Sequence, residues 1–116
     1  MTIREAANTL GAEILQDEFE DTELSGAYTS DLLSDVIANA GRGRDTGNGA
    51  ALITIQAHKN TVAVATLADI SVIIICNSRP VPGDMLEAAK NEGIAIIRTK
   101  ENQYTVSGKL YGLLNT

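Results

Sequence analysis

The 116-residue chain has no tryptophan, one phenylalanine and three tyrosines. With aromatics at 3%, its core has to be aliphatic, built from Ile, Leu, Val and Ala. It has one cysteine, Cys76. A lone cysteine forms no intramolecular disulfide, so the reducing cytoplasm is the expected compartment. Nor can it hold an iron–sulfur cluster, which takes about four ligands. Positive charge is also scarce: nine Lys and Arg stand against 15 Asp and Glu, a net charge of −6. That balance excludes nonspecific nucleic-acid binding and docking on anionic membranes, both of which need a positive surface. Residues 1–10 carry charges and no apolar h-region, so no secretory signal is expected. No run approaches the roughly 20 apolar residues of a membrane span. No metal-ligand cluster and no nucleophile–base pair stands out, and no cofactor is expected.

What is present is centred on Ala51–Arg79. Ala51–Ile55 and Val72–Cys76 are apolar runs without polar alternation, as in strands buried on both faces of a parallel sheet. Asn60–Asp69 between them suits a short helix, which makes a βαβ unit. Ligands of such units bind beyond the carboxyl ends of the strands.

Around that unit, Thr2 with Glu5 forms a capping-box signature for a helix with Ile3, Ala6, Ala7 and Leu10 on one face. Gly11 should end it. Ala12–Leu15 and Ser25–Thr29 read as strands. Gln16–Glu23 has five acids in eight residues and reads as a solvated connection. Asp31–Ala40 reads as a helix capped by Thr29 or Ser30, with Leu32, Leu33, Val36 and Ile37 inward. Asp31 and Asp35 share a face, which suits a helix N-terminus better than a metal. Gly41–Gly49 is rich in glycine and arginine. It leads into a strand and lacks the Lys-Ser/Thr ending of a phosphate loop, so a flexible surface loop is expected. Pro82 opens a helix over Gly83–Asn91, with Met85, Leu86 and Ala89 inward. Ile94–Arg98 is a further strand. A last helix from Glu101 or Asn102 through Leu114 places Tyr104, Val106, Leu110, Leu113 and Leu114 inward. One domain over residues 1–116 with a three-layer α/β/α architecture and a small, mostly parallel sheet follows.

Thr29, Ser30, Gln56, His58, Asn60, Asn77, Ser78 and Thr99 fall at successive strand-to-helix turns. Singly, each is a helix cap or turn former. Together they would line one rim of the sheet and cluster within one cleft there, a place for a small polar or phosphate-bearing ligand. His58 could act as a general acid or base, although no sequence neighbour orients it. Cys76 reads as a buried, inert thiol.

Thr29–Ala40 (TSDLLSDVIANA) and Ile53–Ala65 (ITIQAHKNTVAVA) resemble the stand-alone, hydrogenase-associated branch of the DRTGG-domain family. The resemblance continues through the C-terminal string NEGIAIIRTKENQYTVSGKLYGLL. It implies a fold like the N-terminal domain of HPr kinase/phosphorylase and a role that is regulatory or interface-forming. Where relatives carry Asp-Arg, this chain has His58-Lys59. Where they carry Thr-Gly-Gly, it has Cys76-Asn77-Ser78. The expected function is a non-catalytic regulatory or accessory module that binds a small anionic or nucleotide-like ligand at that rim and is associated with hydrogenase or other redox systems. Two alternatives stay open: a small enzyme using His58, and a structural subunit for a redox-enzyme partner. A homodimer is expected, because Leu110, Tyr111, Leu113 and Leu114 cannot all point inward from one helix.

Overall fold

The computed structural model describes residues 1–40 and 49–115. The expected flexible loop Gly41–Gly49 lies outside them, except for Gly49 itself. Chain order is α1 (Ile3–Leu10), β1 (Glu13–Gln16), β2 (Leu24–Thr29), α2 (Leu33–Asp35), β3 (Gly49–Thr54), α3 (Lys59–Leu67), β4 (Val72–Ile75), α4 (Gly83–Glu92), β5 (Ala95–Arg98) and α5 (Gln103–Leu114). A wide π-helical turn, Val36–Ala40, continues α2.

Strands β2, β3, β4 and β5 are parallel neighbours, and β1 runs antiparallel on the outer side of β5, giving the order β1-β5-β4-β3-β2. Alternation along the central strands splits the core in two. Leu52, Ile73, Ile75 and Ile96 pack with Val36, Val62, Met85 and Ala89, so the π turn, α3 and α4 cover one face. Ile53, Val72, Ile74 and Ile97 pack with Ile3, Leu10, Val106 and Leu110, so α1 and α5 cover the other. This is the expected three-layer α/β/α arrangement with a mostly parallel sheet. Burying each such Ile or Leu is worth about 1.5–3 kcal/mol, enough to hold a core without aromatics.

Local signals explain the helix ends. The Thr2 hydroxyl accepts from Glu5 N–H at 3.3 Å and Thr2 N–H donates to the Glu5 carboxylate at 2.8 Å, closing the capping box. Gly11 (φ 65) and Gly93 (φ 67) end α1 and α4 in the left-handed conformation that glycine adopts without strain. Pro82 is the N-cap of α4, one position earlier than expected.

Four expectations need correction. The helix over Asp31–Ala40 is only one turn of α-helix before the π turn, and neither Thr29 nor Ser30 caps it: its N-cap is Leu32, with no side-chain bond. Only Val36 of its supposed inward face is fully buried, and Leu32 is 64% exposed. The reason lies in Asp31, whose side chain bonds to the end of β3 and not to the helix start. Gln16 is not solvated: it is buried, and its amide donates to Ile94 C=O at 2.9 Å. The acids after it hold neighbours in place, with Asp21 accepting from Arg4 N–H and Glu18 paired to Lys90. In α5, Tyr104 points outward at 88% exposure, since Val106 and Leu110 set the buried stripe and Tyr104, two residues before Val106, lies about 200° round the helix from it. Of its other expected inward residues, Val106 and Leu110 are buried and Leu113 and Leu114 half-buried.

Candidate functional site

Because β2 to β5 are parallel, their four carboxyl ends lie along one edge of the sheet. Thr29 and Ser30 follow β2, Gln56, His58 and Asn60 follow β3, Asn77 and Ser78 follow β4, and Thr99 follows β5. The eight expected residues therefore share an edge, spread across four strands.

Much of their hydrogen-bonding capacity is engaged locally. His58 is the N-cap of α3, and its Nδ1 accepts from Asn60 N–H at 3.0 Å. That bond leaves the ring's Nδ1 occupied. Ser30 Oγ accepts from Leu32 N–H at 3.2 Å, and Thr29 Oγ1 pairs with Ser107 Oγ at 2.7 Å. Gln56 C=O accepts from the Thr61 hydroxyl at 2.7 Å. Thr99 is 5% exposed, and its Oγ1 accepts from Glu101 N–H at 3.2 Å.

The turn after β4 is different. Asn77 (φ 59) and Ser78 (φ 50) both lie in the left-handed region. Such a conformation costs a non-glycine residue about 1 kcal/mol. Glycine would hold it without that cost. The conformation aims both backbone amides at the β5 turn: Asn77 N–H donates to Glu101 C=O at 3.0 Å and Ser78 N–H to Thr99 C=O at 2.9 Å. Both side chains are exposed and make no hydrogen bond to any described residue.

Ser78 and Thr99 line a cleft of about 520 Å³, together with Leu10, Gly11, Glu13, Arg98, Lys100 and Glu101. The Arg98 guanidinium grips Glu13 Oε1 at 2.9 and 2.7 Å. Lys109 holds Glu101 at 2.9 Å. Lys100 is exposed and forms no ion pair with a described residue. The cleft lining carries two cations, Arg98 and Lys100, and two carboxylates, Glu13 and Glu101, and Lys109 engages Glu101 from outside that lining. Thr29 lines a different, smaller cavity of about 140 Å³ against α5. The eight residues thus share an edge but not the single cleft expected: Ser78 and Thr99 line the 520 Å³ cleft and Thr29 the separate cavity, because the four strand ends spread them along the sheet.

At the middle of the edge sits a network that the sequence reading missed. Asp31 accepts from the Thr54 hydroxyl at 2.8 Å, from Ile55 N–H at 2.9 Å and from Gln103 Nε2. Burial alone would raise its carboxyl pKa. The bonds from Ile55, Thr54 and Gln103 and the charge of Arg79 outweigh burial and hold it below the ordinary carboxylate value. Beside it Cys76 is fully buried, as expected. Burial first, then the charges of Asp31 and Glu101, pushes its thiol up to about 11. Asp31 and Asp35 do not converge: Asp35 accepts from the Tyr28 hydroxyl and from Asn39. Among the described residues no group of three or more His, Cys, Asp or Glu is placed to hold a metal. No helix of the described residues is long and apolar enough to cross a membrane. Lys100 and Glu101 follow β5 directly, so the rule that found Thr99 would have found them had it been carried two residues further.

A family model described as HPr Serine kinase N terminus matches residues 53–114. Among solved structures, the chain is similar to the crystal structure of the CBS and DRTGG domains of the regulatory region of Clostridium perfringens pyrophosphatase, complexed with its activator, diadenosine tetraphosphate. The TM-score is 0.61 at 16% identity, over 92% of this chain and 44% of that one. The chain therefore spans less than half of that structure's length, and the likeness is one of fold. No curated protein matches the sequence significantly.

Proposed function

The chain belongs to the HPr serine kinase N-terminus family, and from that premise we propose that it is a non-catalytic regulatory or accessory module, one domain over residues 1–116, that binds a small anionic, nucleotide-like ligand at the carboxyl edge. The observation that carries the reading is the cleft at the β4 and β5 turns. Lys100, which forms no ion pair with a described residue, stands there with the exposed Ser78 hydroxyl, on a chain whose net charge is −6. A cation without such a pair beside an exposed hydroxyl suits a phosphate group. The structurally similar pyrophosphatase region is regulatory and was crystallised with a dinucleotide activator, which supports a ligand of that class. The DRTGG-like strings Thr29–Ala40 and Ile53–Ala65 support a hydrogenase or other redox enzyme as the regulated partner. The single, buried Cys76 suits the reducing cytoplasm. The half-exposed apolar end of α5 supports a homodimer.

A thermal-shift screen with ATP, AMP, diadenosine tetraphosphate and inorganic phosphate tests the ligand reading. A ligand that binds only the native state raises the melting temperature by mass action, roughly 2.7 kcal/mol of stability at a hundredfold excess over Kd. Lys100→Glu should abolish that rise without lowering the melting temperature of the free protein. No rise with any of the four would contradict the reading.

A further inference from the structure

The Lys and Arg side chains of the described residues are used in different ways. Lys90, Arg98 and Lys109 are ion-paired, to Glu18, Glu13 and Glu101. Arg4 lies over the Phe19 ring and donates to Asp17 C=O. Lys59, Arg79 and Lys100 are exposed and form no ion pair with a described residue. These three follow the carboxyl ends of successive strands, β3, β4 and β5. Acids gather at the other edge, where Glu20, Asp69 and Glu92 line a cleft. That edge is four to six residues of strand away. The distance is about 13–20 Å, beyond a Debye length of roughly 8 Å in physiological salt. An anion at the carboxyl edge therefore meets the local cations before the net charge of −6.

Arg79 and Lys100 belong to adjacent turns whose backbones are bonded together. Ser78 N–H donates to Thr99 C=O at 2.9 Å and Asn77 N–H to Glu101 C=O at 3.0 Å. The covalent path through the first of these bonds keeps the Arg79 and Lys100 Cα atoms within about 13 Å of each other. Arg98 Nη1 donates to Arg79 C=O at 3.4 Å, and Pro80 restricts the Arg79 backbone from the other side. The carboxylates nearby are engaged. Glu13 is held by Arg98 and Glu101 by Lys109. Asp31, which feels the charge of Arg79, accepts from Thr54, Ile55 and Gln103. Lys59 instead lines the groove between α3 and α4. Arg79 and Lys100 thus stand on a fixed frame, next to the exposed Ser78 hydroxyl, neither of them in an ion pair with a described residue.

We propose that Arg79 and Lys100 form a two-point clamp for linked phosphates, so that the ligand class of this cleft is a di- or polyphosphate and not a monophosphate. The proposal deepens the nucleotide-type reading above and rests on it. One phosphate takes the compact Lys100 ammonium together with the Ser78 hydroxyl. The next takes the planar Arg79 guanidinium, which binds two oxygens at once. A chain of phosphates gains from both contacts for a single loss of translational freedom. Two like charges on neighbouring turns also repel until an anion bridges them.

Isothermal titration calorimetry at fixed ionic strength tests the clamp, with phosphate, pyrophosphate and tripolyphosphate as one series and AMP, ADP and ATP as the other. Tripolyphosphate should bind about tenfold or more tighter than phosphate, and ATP than AMP. Arg79→Gln should bring tripolyphosphate down to the level of phosphate and leave phosphate itself little changed. Because Arg79 is exposed, the far-ultraviolet circular dichroism of the variant should match wild type. Lys59→Gln removes the same charge outside the clamp and should leave the preference intact. A preference in one series alone names the source, a nucleotide or an inorganic polyphosphate, and supports the clamp. No preference in either series, a preference that survives Arg79→Gln, or one weakened equally by Lys59→Gln overturns the clamp and leaves the anion reading standing. No binding of any of these ligands overturns that reading and the clamp with it.

Discussion

Gln103 donates its side-chain amide to both oxygens of Asp31, 3.1 Å from each, across 72 residues of chain. The pair ties the turn after β2 to the start of α5, and Asp31 also accepts from Thr54 and Ile55 at the end of β3. Three elements of the carboxyl edge thus meet on one carboxylate. Asp31→Ala should cost about 1–3 kcal/mol in urea unfolding, because it leaves those donors without an acceptor.

The same carboxylate gives an acid dependence. Its folded pKa lies below its unfolded value. The stability it contributes is therefore complete above the unfolded value, roughly pH 4, and is lost as pH falls through the folded value. Wild type should lose stability in that window, and Asp31→Asn should lose less. Equal slopes for the two proteins would remove Asp31 as the cause.

His58 tests whether the cap or the proton matters. His58→Ala should cost about 0.5–2 kcal/mol through loss of the α3 cap, and His58→Asn should restore most of it. An activity found in this protein that is lost equally in both variants would mark the residue as an acid or base.

The turn after β4 sets stability against binding. Ser78→Gly relieves a left-handed serine and should raise stability by about 0.5–1 kcal/mol. It also removes a hydroxyl from the cleft, so the ligand-induced thermal shift should shrink. A larger shift in the variant would take Ser78 out of the site.

Gly49 begins β3 where a Cβ would collide with the side chain of Ser71 and lie 2.8 Å from Thr22 Oγ1. Gly49→Ala should cost about 1–3 kcal/mol by overpacking. A neutral result would mean that Ser71 and Thr22 can move apart.

The strands were legible because Ala51–Ile55 and Val72–Cys76 are unbroken apolar runs, and such runs have few places to go other than a doubly covered sheet. The common edge of Thr29, His58, Ser78 and Thr99 followed from parallel topology. Two things were not legible. The apolar spacing of Leu32, Leu33, Val36 and Ile37 suits a regular helix, but Asp31 takes its hydrogen bonds from β3, and no local pattern announces that. Which turn residues are engaged as caps depends on contacts between elements distant in sequence, as with Thr29 and Ser107. Lys100 stands out only once Arg98 and Lys109 are seen to hold Glu13 and Glu101.

The central claim is that a nucleotide-type anion binds beyond the carboxyl ends of β4 and β5. Amide chemical-shift mapping during titration with diadenosine tetraphosphate tests it most directly. Saturable shifts should concentrate at Ser78, Thr99, Lys100 and Glu101, and Lys100→Glu should abolish them. Absence of shifts at millimolar ligand, or shifts centred on the opposite edge at Thr22, Asp69 and Ser71, would contradict it.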